Sequence, residues 1–178
     1  MNQIKYQFRY YLPVWFLLLI TGWLPDNKFS IRIRGYLVAL FLPGHPKRLE
    51  LGRDVTLLGI NNLFIGDNVY LAKGTWINGK GKVVIEDEVI IAPYVIVVST
   101  SHGFKDGSVR YGGTHFSPVL ISKGTWVAAH CTISSGTIIG PGCMIGANSF
   151  VSGKFGSNLF IGGVPARVIK ERADNPGI

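Results

Sequence analysis

The chain has 178 residues, 47% of them hydrophobic, and a formal net charge of +8, which suits one domain with a real core and is short for two. Its 23 glycines follow no Gly-X-Y period, so they speak for many tight turns and exclude both collagen and a disordered chain. Cys131 and Cys143 are the two cysteines; with no secretory signal in view, they are expected in a reducing compartment as small core residues.

Residues 1–48 carry Lys5, Arg9, Lys28, Arg32, Arg34, Lys47 and Arg48 against Asp26 alone, so most of the positive charge sits there. The same segment holds two apolar runs, FRYYLPVWFLLLITGWLP and IRIRGYLVALFLPG. A nucleic-acid surface would scatter its cations among polar and stacking residues, whereas Val14 to Ile20 has no charge, and no nucleic-acid partner is expected. The uncharged stretch from Tyr10 to Leu24 is shorter than the roughly 20 apolar residues of a spanning helix, and Pro13 lies inside it. Two compatible readings remain for this helical segment. It caps the open end of the core, or it lies on a membrane surface with Tyr10, Tyr11, Trp15 and Trp23 at headgroup level and its cations toward anionic lipid. His45, just before Pro46, reads as part of a joint.

From about residue 50 an aliphatic residue recurs every sixth position, as in Ile121, Val127, Ile133, Ile139, Ile145 and Val151. Upstream the pattern gives Leu51 and Leu57, then Ile65, Leu71 and Ile77, then Ile85, Ile91 and Val97. Four positions after these aliphatic residues come small or β-branched ones, among them Val55, Val69, Thr75, Val89, Val95, Thr125, Cys131, Thr137, Cys143 and Ser149. A period of six is neither helical nor that of a simple strand. It describes one side of a triangular coil, with two residues facing in and Gly, Asp, Asn or Pro at the bend. Three sides make a coil, and coils stack at about 4.8 Å so that each covers the apolar face of the next. The step from Ile65 to Ile85 leaves extra residues around NGKGK to bulge from a corner. Residues 100–119 lack the pattern altogether and read as a loop ejected from the scaffold, the place where function concentrates.

Several stretches together resemble the hexapeptide-repeat acyltransferases: the unbroken repeats from Ile121, VIIAPYV, TSHG opening the excursion, GTWVAAH after it and GGVPARVIKER following the last coil. The likeness is to the galactoside, maltose and nodulation-factor O-acetyltransferase branch. It implies a mainly β fold, a left-handed parallel β-helix over 49–163 with N-terminal helices at 1–48, the protruding loop 100–119 and a C-terminal tail at 164–178. It implies acetyl transfer from acetyl-CoA to a sugar hydroxyl, directly and without an acyl-enzyme, in a homotrimer with sites between subunits and no metal.

By the same resemblance His102 is the general base, a role imidazole suits because its class titrates near neutral pH. Ala129 and Ala147 leave room for the pantetheine arm and Ser152 offers it a hydroxyl, while Arg167 and Lys170 hold the CoA phosphates. Trp126 walls the acceptor cleft or packs between subunits. Asn78 and Lys73 fall where acceptor-binding residues lie, and His115, in the same excursion as His102, is a further candidate contact to the acceptor. Lys73 stands where Asn is common, so the expected acceptor is neither a plain β-galactoside nor maltose.

The apolar, basic front of the chain is more similar to the enzymes of capsule, colanic-acid and O-antigen clusters. It implies a surface polysaccharide or a lipid-linked precursor as acceptor and a peripheral place on the inner face of the bacterial cytoplasmic membrane. Three alternatives stand beside this reading: an N-acyltransferase on an amino sugar, a non-catalytic repeat scaffold, and a gamma-type carbonic anhydrase. The last needs three imidazoles on a metal, two of them five residues apart, a spacing that no pair among His102, His115 and His130 has.

Overall fold

The computed structural model describes residues 2–172; residues 173–178 of the expected tail lie outside the described residues. The six-residue units form a three-sided parallel β-helix. Its first face stacks Glu50–Leu51, Tyr70–Leu71, Ile90–Ile91, Trp126–Val127, Met144–Ile145 and Leu159–Gly163. The second stacks Thr56–Leu58, Trp76–Asn78, Ile96–Val98, Thr132–Ile133 and Phe150–Val151. Leu63–Ile65, Val83–Ile85, Val119–Ile121, Ile138–Ile139 and Lys154–Phe155 make the third. Neighbouring strands within these stacks run parallel. Ala166–Glu171 turns back antiparallel on the last strand of the first face and ends the stack.

The aliphatic and small positions read from the sequence all point inward; none of them is more than 6% exposed. Each aliphatic side chain so covered contributes about 1.5–3 kcal/mol relative to leaving it in water. The small inward positions that carry a polar atom satisfy it on a carbonyl. Thr125 Oγ1 donates to Gly140 O, Thr137 Oγ1 to Val151 O, Cys131 Sγ to Gly146 O and Cys143 Sγ to Gly156 O. The two thiols are free and buried, Cys143 leading into a first-face strand and Cys131 into a second-face strand, and burial raises the pKa of both.

The corner between the first and second faces needs a left-handed residue in every coil. Asp54, Gly74, Tyr94, His130 and Asn148 supply it, with φ of 59°, 69°, 59°, 60° and 58°. Asp, Gly and Asn adopt this conformation readily; Tyr94 and His130 adopt it with their rings stacked at 5.2 Å. The corner between the second and third faces absorbs every departure from eighteen residues per coil. Leu57 to Ile65 and Ile77 to Ile85 each take two extra residues, the first as the 3-10 turn Ile60–Asn62, and the excursion leaves at the same corner of the third coil. The bulge expected at NGKGK is thus one of a stacked series.

Helix α1, Gln3–Tyr6, starts on Asn2, whose side chain accepts from Ile4 N, and continues through a π turn at Gln7–Tyr11 into α2, Leu12–Thr21. Pro13 falls in the first turn of α2, where a missing N–H costs little. Helix α3, Lys28–Ala39, starts on Asn27, whose side chain accepts from Phe29 N and Ser30 N. Val14, Val38, Ala39 and Leu42 belong to one core cluster with Leu49, Leu51 and Leu57, so the helices close the end of the first coil. Tyr6 Oη accepts from Gly59 N at 3.0 Å. At Gly35 α3 meets the coil so closely that a Cβ would lie 1.8 Å from Leu49 O.

Arg34, counted above among the segment's cations, does not face solvent: its side chain is 1% exposed. Nη1 donates to Asp26 Oδ1 and to Leu51 O, Nη2 to Leu24 O, and Nε to Thr21 O. Among the described residues no helix is long and apolar enough to cross a membrane.

Candidate functional site

The excursion is an ordered hairpin. Thr100–His102 pairs antiparallel with Thr114–Phe116, opposing Thr114 to His102, His115 to Ser101 and Phe116 to Thr100. Strand alternation therefore sets Thr100 and His102 on one side and Ser101 and His115 on the other. His102 is exposed, and its imidazole forms no hydrogen bond among the described residues. His115 packs over Gly103, where a Cβ would come within 2.6 Å of its Nε2.

Asn78 fixes the base of this hairpin. Its Nδ2 donates to Thr100 Oγ1 at 3.2 Å, its Oδ1 accepts from Lys80 N, and its carbonyl accepts from Ser99 Oγ at 2.6 Å. Ser99 Oγ in turn accepts from Gly81 N. Asn78 is buried, and it joins Thr100 on the side of the hairpin that carries His102, one pleat further on. The TSHG motif marked His102 in the sequence; the link between Asn78 and Thr100 joins two neighbouring coils and left no local signal.

The other predicted residues lie elsewhere on the prism. Lys73, Pro93, Ala129 and Ala147 stack along the first corner: Tyr94 N donates to Lys73 O, His130 N to Pro93 O and Asn148 N to Ala129 O. Ala129 is half-buried and Ala147 exposed, so two coils of this strip carry nothing larger than a methyl. Lys73 Nζ lies 3.9 Å from Asp54 Oδ2 at the end nearer the helices. Arg167 and Lys170 are exposed on the returning strand at the opposite end. Ser152 sits at the second corner, a face away from Ala129 and Ala147 but on the same edge as the hairpin. Trp126 projects from the first face, between Ile90 and Met144 in register, 39% exposed.

Within one chain, then, the structure ties Asn78 to the hairpin strand that carries His102 and lines Lys73, Ala129 and Ala147 along one corner. It leaves the hairpin and that strip on separate corners, with the second face between them. Among the described residues no group of three or more His, Cys, Asp or Glu side chains could hold a metal ion.

The bacterial transferase hexapeptide model, a run of six repeats, matches residues 118–153. The galactoside O-acetyltransferase of Escherichia coli K12 is 34% identical over 114 residues, 64% of this chain and 56% of that protein. A putative colanic acid biosynthesis acetyltransferase of the same organism, WcaF, is 25% identical over 175 residues, 97% of this chain and 90% of its own length, so that likeness includes the N-terminal helices. A solved galactoside acetyltransferase in complex with coenzyme A superposes with a TM-score of 0.74 at 25% identity, over 98% of this chain and 85% of that one. The chain spans 45 to 66% of the length of three curated relatives that match it. The repeats at residues 118–153 are those of the bacterial transferase hexapeptide family, and 98% of the chain superposes on a solved galactoside acetyltransferase.

Proposed function

We propose that the protein is an acetyl-CoA-dependent O-acetyltransferase acting on a sugar hydroxyl of a surface polysaccharide or its lipid-linked precursor, with His102 as general base. The observation that carries the reading is an imidazole without an internal partner, held at the base of the hairpin, on a solenoid whose relatives are named as acetyltransferases. Likeness over 97% of the chain to a protein named for colanic acid biosynthesis supports a polysaccharide acceptor.

The residues suit the donor. A thioester arm lying along the first corner meets only methyl groups at Ala129 and Ala147, and the exposed Arg167 and Lys170 at the end of that strip offer cations to its phosphates. In the reaction an acetyl group passes from the donor sulfur to the acceptor oxygen. The proton of the hydroxyl moves to the imidazole of His102 as the oxygen attacks and is then available to the departing thiolate, so neither a metal nor an acyl-enzyme is required.

Because His102 and the first-corner strip lie on different corners of one chain, the proposed site is assembled from neighbouring copies, in keeping with a homotrimer. The outward columns favour such packing: Tyr70, Ile90, Trp126, Met144 and Phe160 run in register down the first face. The hairpin itself exposes Phe104, Tyr111 and Phe116, an apolar surface that a neighbour would cover.

The test is thiol release from acetyl-CoA with a panel of sugars and nucleotide-sugars, comparing the wild type with His102→Ala. Acceptor-dependent release that falls by about 10² to 10⁴ in the variant is expected. Equal release by both proteins with a good acceptor would remove His102 from the role of base.

A further inference from the structure

The outer surface of the N-terminal helices is apolar where a water-facing surface would be polar. Ile4, Phe8, Leu12, Trp15, Leu19 and Trp23 are exposed at three- and four-residue spacing along one side of the segment 4–23, and Trp23 is 86% exposed. The opposite side is already occupied, since Tyr10, Val14 and Leu18 pack on the solenoid core. Helix α3 continues the outer surface with Phe29, Tyr36 and Leu40.

Cations border this surface. Lys5, Arg9, Lys28 and Arg32 are exposed on the two helices. Beside α3 a recess of about 540 Å³ is lined by the buried Ala39 and Leu49, by the exposed Leu40, and by Arg32, His45, Lys47 and Arg48. Leu40 and His45 also border the adjoining recess that contains Arg9, so the basic rim runs on toward α2. Arg32 Nε is paired with Glu50 and Arg48 Nε donates to Asn68 Oδ1; among the described residues the fork nitrogens of both guanidinium groups have no acceptor.

The geometry points to an anionic lipid bilayer as the occupant of this face, the helices lying in the interface and the recess taking a lipid headgroup phosphate. Apolar side chains enter the acyl boundary, tryptophans settle at headgroup depth, and cations meet the phosphates. Charge decides against a second copy of the chain. Lys5, Arg9, Lys28, Arg32, Lys47 and Arg48 are exposed in residues 1–48, and the segment's one acid, Asp26, is engaged by the buried Arg34, so two such faces would repel each other. A spanning arrangement fails on helix length. Since the helices close the first coil, the docked face lies across the end of the solenoid and leaves its three sides clear. Vesicle binding is read without any acceptor or donor, so this proposal stands or falls separately from the acetyl-transfer reading.

The experiment is flotation of the full chain with vesicles of phosphatidylcholine alone and with about one third phosphatidylglycerol. Binding to the anionic vesicles at least about tenfold above the neutral ones, weakened by salt, is the expected result. Phe8→Ser, Trp15→Ser and Leu19→Ser together abolish it, while Arg9→Gln with Lys47→Gln and Arg48→Gln remove the preference for anionic lipid. Should the triple serine variant fold poorly, wild-type tryptophan fluorescence quenched by brominated acyl chains, and spared in Trp15→Phe/Trp23→Phe, reads the same contact. No flotation with either vesicle, or equal and salt-insensitive binding to both, overturns the proposal. So does an oligomer in light scattering that the serine variant dissociates while the wild type ignores vesicles, for the occupant is then a second copy.

Discussion

Arg34 Nη1 donates to Asp26 Oδ1 at 2.8 Å, and the same Asp26 carboxylate accepts from Arg53 N at 3.0 Å. One carboxylate therefore ties α3 to the first coil, and the other Arg34 nitrogens saturate the carbonyls that end α2. A guanidinium taken out of water is stable only with such a set of acceptors, and removing either partner strands the other.

Arg34→Ala is accordingly expected to lower unfolding stability by about 3 to 5 kcal/mol, and Asp26→Ala by less, since Asp26 is partly exposed and its loss leaves the carbonyl acceptors of Arg34 in place. Urea denaturation followed by circular dichroism measures both. A change below about 0.5 kcal/mol for Arg34→Ala would mean that the clamp is dispensable.

Gly35→Ala tests the docking of α3 without touching charge. The new methyl would sit 1.8 Å from Leu49 O, a backbone atom that cannot rotate away, so the helix must lift from the coil. Overpacking of this kind costs about 1–3 kcal/mol and sometimes more, against a gain of up to about 1 kcal/mol in helix propensity. A net loss of stability is expected, and a thermal melt that rises would show that the contact is looser than described.

Asn78 acts on the proposed chemistry through the hairpin. Asn78→Ala removes the bond to Thr100 and is expected to reduce transfer about tenfold, an effect of one lost hydrogen bond of about 1.4 kcal/mol. The readout specific to positioning is a double-mutant cycle. In the His102→Ala background the second change should cost almost nothing, whereas an independent tenfold loss there would assign Asn78 a separate role.

The two thiols give a prediction in pH. Burial raises both cysteines above the ordinary value of 9.0, and it raises Tyr70 above 10.0, helped by the nearby charges of Asp26 and Glu50. A group whose pKa is higher in the folded chain favours folding most while it stays protonated in both states. Stability from these groups is thus fully present below pH about 9 and falls as the pH rises through the folded values. Denaturant midpoints should be flat with respect to this contribution from pH 7 to 9 and decline above. Cys131 and Cys143 should resist a thiol reagent in the native protein and react in denaturant; rapid native modification would contradict their burial.

The inward positions were legible because direction in a triangular coil is a local property: every sixth residue repeats its heading whatever lies in the next coil. Ile133 and Cys131 could be placed in the core from spacing alone, and so could the departure from pattern at residue 100. The resemblance supplied His102, Ala129 and Arg167 as candidates through short motifs that travel with the repeat. Decided only in three dimensions were relations that sum over whole coils. The extra residues at Leu57 to Ile65, at Ile77 to Ile85 and at the hairpin fall on one corner because the coil lengths between them agree, and this brings Asn78 against Thr100. The same summation sets Ala129 and His102 on different corners. Arg34 shows the other limit of a sequence reading, for charge alone placed it at the surface. Burial of a cation depends on acceptors gathered from Thr21, Leu24, Asp26 and Leu51, which become neighbours only once the helices have folded back over the first coil.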